Sequence, residues 1–264
     1  MELRVVVDGP RDPRMNMAID EAILRAGPAP TLRIYMWLPG GLTIGRRQSV
    51  GEVSLAEAER RGYVLVRRPT GGAALLHPWE REVTYSIVLN SSHPFYSLDV
   101  AESAAMIAGG VALALEELGV ATSVGGYDPP QGVSGGLCYV RPGSSDVVVA
   151  GRKVSGSAQR RIGGRLLQHG TLLLRFDPEE WVSIIPVKGA GARELASKIA
   201  GIEDLTSRSY SFSEIARALV KGFSRALGLQ PKPSGLSGEE VEEALRLYEE
   251  KYSTPRWNLE GEEP

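Results

Sequence analysis

A single cysteine, Cys138, stands among the 264 residues, so an internal disulfide and any cysteine-rich metal site are excluded. Histidine is nearly as scarce. His77, His93 and His169 are the only three, none in an HExxH spacing, which argues against a metal enzyme. No stretch of about 20 apolar residues is present to span a bilayer. Met1 to Pro10 lacks the basic start and apolar middle of a signal peptide, so a cytoplasmic protein is expected. A net charge of -2 supplies no bulk attraction to nucleic acid or anionic membrane, and neither is expected as a partner. Lysine is rare too. Six lysines stand against 24 arginines and none precedes Lys153, so either a reason or an accident placed a lysine at 153 in a chain that otherwise uses arginine.

What is there reads as a soluble globular chain, 42% hydrophobic and 23% charged, long enough for a sizeable core. In "MNMAIDEAILRA", Met15, Ala18, Ile19, Ala22 and Ile23 keep helical spacing. "TLRIYMW" and "LTIG" read as strands parted by Pro39, Gly40 and Gly41. "SLAEAERRG" opens on a Ser54-x-x-Glu57 capping box. Strands are expected at 64–66, 73–76 and 83–89, a long helix at 99–118, and a glycine-rich loop at 125–136. "DVVV", "KVSGSAQ" and "LLQHGTLLL" form a three-stranded meander, and helices follow at 178–184, 213–227 and 237–252. "QPKPSG" is the one linker-like break. Strands clustered in runs predict one α/β domain with a mixed or antiparallel sheet.

Two segments bear the marks of chemistry. In "RRPTGGAALLH", Arg67 and Arg68 are forked donors suited to a carboxylate or phosphate, and Gly71 and Gly72 permit close approach of a ligand to backbone. A hairpin turn with solvated arginines fits the same letters. No helix pattern follows the glycines, which excludes a P-loop or a dinucleotide fingerprint. In "CYVRPGSSDVVVAGRKVSGSAQ", Lys153 opens a strand whose Ser155, Gly156, Ser157 and Ala158 are small enough to leave a groove. A surface lysine on a hairpin is the alternative. Cys138 reads either as a small buried hydrophobe or as a thiol in a flexible loop, activated if Lys153 folds back near it. His169, followed by Gly170, interrupts an apolar strand and reads by default as a satisfied core histidine.

Together these segments resemble one family. "RRPTGGAALLH" with "EVTYS", then "GRKVSGSAQ" and "LQHGTLLL", are similar to the lipoate–protein ligase A and octanoyltransferase superfamily. "NMAIDEAIL", "LRIYMWLPGGLTIGRRQ" and "KYSTPRWN" extend the likeness, in order, over nearly the whole chain. The resemblance implies a biotin/lipoyl-ligase-type α/β (α+β) fold, a mixed and largely antiparallel sheet flanked by helices. Residues 1–264 would then be one catalytic domain, with the helical segment at 210–252 packed on it, no accessory domain, and a monomeric state. A tunnel for a medium-chain acyl group would be lined by two turns. Arg68, Thr70, Gly71, Gly72, Ala73, Ala74, Leu75, Leu76 and His77 would form the first; Gly156, Ser157, Ala158, His169 and Gly170 the second.

The family's chemistry divides. Its ligases activate free lipoate with ATP and Mg as an acyl-adenylate, some with a separate accessory chain, and Lys153 would bridge carboxylate and α-phosphate. Its cysteine-dependent octanoyltransferases take the acyl group from octanoyl-acyl carrier protein onto a cysteine, with no cofactor. In that branch Cys138 would be the nucleophile and Lys153 its activating partner, with Pro142 four residues after the cysteine. Ala73 in place of a third glycine, "EVTYS", and an end just past "KYSTPRWN" favour the transferase. Pro78 departs from both branches, which usually have an acidic residue after the histidine. The acceptor implied is a lysine of a glycine-cleavage H protein or a dehydrogenase E2 lipoyl domain. A non-catalytic carrier-binding protein is the remaining reading, disfavoured because both ligand-facing turns are intact.

Overall fold

The structure, a computed structural model, describes residues 2–126, 134, 135, 137, 143–189 and 191–264. The chain opens with strand β1 (Glu2–Arg11), helix α1 (Pro13–Arg25), β2 (Thr31–Trp37) and β3 (Gly41–Ile44). Next come α2 (Leu55–Arg60), β4 (Val64–Arg67), β5 (Leu75–His77), β6 (Glu82–Asn90), the short α3 (Pro94–Ser97) and the long α4 (Val100–Glu117). Strands β7 (Ser123–Val124), β8 (Ser134–Gly135), β9 (Val147–Val149), β10 (Arg152–Ile162) and β11 (Arg165–Leu173) follow. The remainder is α5 (Pro178–Ile184), β12 (Val187–Lys188), α6 (Ala192–Lys198), α7 (Ile202–Thr206), α8 (Phe212–Leu227), β13 (Gln230–Pro233) and α9 (Gly238–Leu247).

The main sheet runs β13-β1-β2-β6-β11-β10-β9-β7 and is antiparallel from β2 onward; only β13–β1 and β1–β2 are parallel. A second sheet, β4-β3-β5, stands beside it. This is the mixed, largely antiparallel sheet with flanking helices that the sequence predicts. Strand alternation decides the layers. Val83, Tyr85, Ile87 and Leu89 of β6 enter one core with Ile107 and Val111 of α4 and Leu219 and Phe223 of α8. Val88 faces the opposite side, where α1 packs with α9 and Trp257. Helices α4 and α8 touch closely because both contact positions are glycine: a Cβ on Gly222 would lie 2.2 Å from the Gly110 carbonyl oxygen. A third core, under the small sheet, joins Leu42, Ile44 and Leu76 to Trp181 and Leu195.

Three expectations need correcting. "QPKPSG" is not a linker: Gln230–Pro233 pair in parallel with β1 and form the sheet edge. Prolines are tolerated there because an outermost strand has one side that needs no N–H donor. Within the expected loop at 125–136, Ser134 and Gly135 instead pair with Val187 and Lys188. The last helix also stops earlier as an α-helix, at Leu247, and continues in a wider turn over Tyr248–Tyr252.

Candidate active site

Arg67 and Arg68 sit next to each other, buried, with opposite duties. Arg67 spends its guanidinium on backbone carbonyls: Nε on Trp257 (2.9 Å), Nη1 on Gly45 (3.0 Å) and Gln48 (2.6 Å), Nη2 on Asn258 (3.2 Å). It is a staple between the loop after β3 and the "KYSTPRWN" segment, and so not the anion donor its position suggested. Arg68 instead closes the glycine turn, donating from Nη2 to the carbonyls of Gly71 (2.9 Å) and Ala73 (3.0 Å) and from Nη1 to Thr43 Oγ1 (2.8 Å). Gly72 holds φ at +89°, where a side chain is strained. The turn also nests against Gly45, where an added Cβ would fall 1.9 Å from the Gly72 oxygen.

The turn is tied to the main sheet through Thr70, whose Oγ1 lies 2.7 Å from His169 Nε2. His169 Nδ1 is in turn 3.2 Å from Asp20 Oδ2. Asp20 comes from α1 and is fully buried, accepting from Arg33 Nη1 (2.9 Å), Tyr35 Oη (2.8 Å) and Ser86 Oγ (2.8 Å). Burial pushes its carboxyl pKa upward, but the His169 hydrogen bond, the Arg33 charge and the Tyr35 hydroxyl outweigh it and hold the group ionised. Asp20 Oδ2 beside Nδ1 and Thr70 Oγ1 beside Nε2 together fix the orientation of the His169 ring. His169 is therefore a satisfied buried histidine, as expected by default, and also part of the cavity wall.

Lys153 is almost wholly buried, which disposes of the surface-lysine alternative. Its Nζ lies 2.7 Å from Asp146 Oδ1, and Asp146 Oδ2 accepts the Gly143 N–H at 2.8 Å. The pairing of β10 with β9 shifts between Lys153 and Ser155, a bulge that re-aims the side chain. Gly156 makes the space for it: a Cβ there would sit 3.0 Å from Lys153 Cε and 3.4 Å from Nζ. The Asp146 carboxyl is raised by burial, a rise that the Lys153 charge opposes.

Gly156 also lines a slot at the seam of the two sheets. Its walls are Arg68, Leu75 and His77 on one side, Gly156–Ala158 and His169–Thr171 on the other, and Met17, Tyr35, Trp37 and Thr84 at the base. The slot holds about 400 Å³ of empty space with its mouth, yet the centre of a water fits within only about 30 Å³ of it. Gly170 fills its place by necessity, since a Cβ would meet Tyr85 Oη at 2.6 Å and the Gly156 oxygen at 2.7 Å. His77 lies flat on Trp37, with ring centres 4.0 Å apart, and its Nε2 is 3.0 Å from Thr43 Oγ1. Burial, then the charges of Arg68 and His169, drive its pKa well down, so the ring is neutral. Its Nδ1 has no hydrogen-bond partner among the described residues. Glu82 Oε2 stands 3.6 Å from that atom, and burial pushes the Glu82 carboxyl well up.

Gly71, Gly72 and Ala73 line an adjoining groove rather than the slot, while Leu76 lies in the core under the small sheet. Ala74 is buried and bridges Leu137 in parallel. Cys138 and Pro142 lie outside the described residues. Asp20, Asp146 and Thr43 were missed by the sequence reading. An acid at helical spacing beside Met17 and Leu24 of α1, and a lone acid directly before "VVV", were the available signals. Among the described residues no cluster of three or more His, Cys, Asp or Glu side chains could hold a metal, and no helix is long and apolar enough to cross a membrane.

The family model described as the lipoyl protein ligase A/B catalytic domain matches residues 12–224. Octanoyltransferase LipM of Kyrpidia tusciae is 37% identical over 270 residues, covering 97% of each chain. A lipoate-protein ligase A solved with bound ATP superposes with a TM-score of 0.83 at 26% identity, over 98% of this chain and 99% of the other. A bi-partite lipoate protein ligase of Thermoplasma acidophilum, studied with its E2 lipoyl domain, gives 0.83 at 26% identity, over 100% and 98%.

Proposed function

This chain belongs to the lipoyl protein ligase A/B catalytic-domain family, and from that premise we propose that it is an octanoyltransferase of protein lipoylation. The acyl donor is an octanoyl thioester on acyl carrier protein, and the acceptor is a lysine of a lipoyl-carrier domain, that of a glycine-cleavage H protein or a dehydrogenase E2. Curated octanoyltransferases matching nearly end to end support the reaction.

The observation that carries the mechanism is the buried Lys153–Asp146 pair beside the slot wall. The stretch holding Cys138 is bounded by two anchors: Leu137 bridges Ala74 of the glycine turn, and the Gly143 amide donates to the carboxylate paired with Lys153. In the first half-reaction the Cys138 thiolate attacks the octanoyl carbonyl, a C–S bond forms, and the donor's sulfur leaves and takes up a proton. In the second, the neutral amine of the acceptor lysine attacks the same carbonyl carbon. The amide C–N bond forms, the C–S bond to Cys138 breaks, and the amine proton passes to the departing sulfur. The Lys153 ammonium favours the Cys138 thiolate and stabilises the oxyanion of each tetrahedral intermediate. Asp146 keeps that ammonium oriented in a site with little water. A thioester already carries its activation, so ATP has no role in this route.

Mass spectrometry after mixing with octanoyl-carrier protein tests it: an octanoyl adduct on Cys138, absent in Cys138→Ala, is the expected result, and its absence from the unaltered chain overturns the reading. The ATP-dependent ligase remains the alternative because of the likeness to the ligase solved with ATP. Acceptor modification from free lipoate and ATP that survives Cys138→Ala would establish it.

A further inference from the structure

The slot accounts for an acyl chain, but the groove on the far side of the glycine turn has no task in that scheme. It encloses about 530 Å³ and is lined by Arg46, Arg47, Gln48, Glu52, Gly72 and Arg160. Resting on the transferase reading, we propose that this groove is a phosphate-ester subsite, receiving the phosphodiester on the pantetheine arm of the acyl donor, and that Glu263 is its built-in counter-anion.

Two of the lining arginines are bridged from behind the lining by one carboxylate, that of Glu263. Arg46, from the loop after β3, and Arg160, from β10, converge on one oxygen: Glu263 Oε1 lies 2.9 Å from Arg46 Nη2 and 3.8 Å from Arg160 Nη2. The second carboxylate oxygen is held 2.7 Å from Lys251 Nζ. One oxygen is therefore anchored while the other marks where a phosphoryl oxygen would be accepted by two guanidinium groups. Arg47 is exposed and makes no ion pair among the described residues, so it is available to the same ligand. The acid on the lining, Glu52, accepts from Gln48 Nε2 at 3.2 Å.

The walls are held in place before any ligand arrives. Arg67 fixes the carbonyls of Gly45 and Gln48, on either side of Arg46 and Arg47, and Arg160 Nη1 donates to the Pro69 carbonyl at 3.2 Å. Gly71 leaves open space where a side chain would begin. Slot and groove also share a strand: Gly156, Ser157 and Ala158 line the first, Gln159 and Arg160 the second. A strand advances about 3.3 Å per residue, so Arg160 lies roughly 13 Å beyond Gly156. An extended pantetheine arm spans that distance from its thioester to its first charged group. Guanidinium forks suit phosphate oxygens better than ammonium groups do.

Cys138 acylation by octanoyl-4′-phosphopantetheine and by octanoyl-pantetheine, which lacks the phosphate, gives the test in the full chain. The phosphorylated donor should show a kcat/KM about tenfold higher, the range of a charge-assisted contact. That ratio should collapse toward one in Arg47→Ala/Arg160→Gln and rise about threefold in Glu263→Gln, where the competing anion is gone. Calorimetric binding of 4′-phosphopantetheine against pantetheine reads the same preference without turnover. Equal acylation from both donors in the unaltered chain overturns the subsite while leaving the transfer reading intact. A preference that survives the double substitution also overturns it, and an unchanged ratio in Glu263→Gln removes the counter-anion. Discrimination in binding with no adduct on Cys138 supports the subsite and overturns the transfer reading.

Discussion

Lys153 and Lys251 are both buried ammonium groups, 1% and 0% exposed, held by a carboxylate seven residues away (Asp146) and one 230 residues away (Glu21) respectively. Their surroundings differ. Lys251 Nζ is 3.0 Å from Glu21 and 2.7 Å from Glu263 and sits 4.0 Å over the Trp257 ring, with Tyr252 donating to the same Glu21 carboxylate. The Tyr252 ring also lies 5.4 Å from it. Lys153 instead lies over a glycine on the wall of an open slot. Burial of a cation therefore does not separate a structural pair from a chemical one. The neighbour does: an aromatic ring closes the first site, and a missing side chain opens the second.

The comparison breaks most readily at the structural pair. Lys251→Met leaves Glu21 without its ammonium partner and should cost about 3 kcal/mol of stability, the lower end for severing a buried ion pair, since Arg25 still reaches Glu21 at 2.5 Å. Chemical denaturation reads this loss, and acylation by octanoyl-pantetheine, the donor without a phosphate, should change little per folded molecule. Lys153→Ala should do the reverse. The fold survives, while Cys138 acylation falls about 10²–10³-fold, as when an oxyanion-stabilising group is removed. A stability loss without a rate loss would return Lys153 to the structural class.

Gly156→Ala is gentler. The new methyl presses on Lys153 Cε from 3.0 Å and narrows the slot, and an acylation rate lower by about tenfold is expected from displaced chemistry. Acylation kinetics at saturating donor check it; an unchanged rate would mean that the lysine's placement beside the glycine is immaterial.

The smallest effect separates the two carboxylates by pH. Burial would raise the Glu21 carboxyl, but Lys251, Tyr252 and Arg25 together hold it below its usual 4.5. Its stabilisation is present above pH 4.5 and is lost as pH falls through the lowered folded value. Asp146 has the opposite sign: burial leaves it raised above 3.8, so its ionisation costs stability as pH rises through the folded value and costs none in acid. Melting temperatures between pH 6 and pH 3 should therefore vary less with pH in Glu21→Gln, and should not do so in Asp146→Asn.

Much of this was legible along the chain. Helices α1, α2, α4 and α8 and the β9–β11 meander follow from apolar spacing and Ser or Asp caps, which are local signals. The strand over 230–233 was not, because two prolines in four residues mimic a break unless the neighbouring strand is known. The candidate site divides in the same way. Arg68, His77, Gly156 and His169 line the slot, while Arg67, one residue away from Arg68, staples the loop after β3 to the backbone of Trp257 and Asn258. Nothing local distinguishes two consecutive arginines; the strand's alternation sends them to different sides.

The sequence by itself determined the elements, the two glycine-bearing turns and the family, because those depend on residues within a few positions of one another. Tertiary structure alone decided which charges are used up. Asp146 took Lys153, Asp20 took His169 and Arg33, and Glu263 bridged Arg46, Arg160 and Lys251. The choice of partner for a buried charge depends on which groups the packed sheets bring within about 3 Å, where low dielectric makes an unpaired charge costly. That distance is set by contacts between segments far apart in the chain, 217 residues in the case of Arg46 and Glu263, and no spacing in the chain records it.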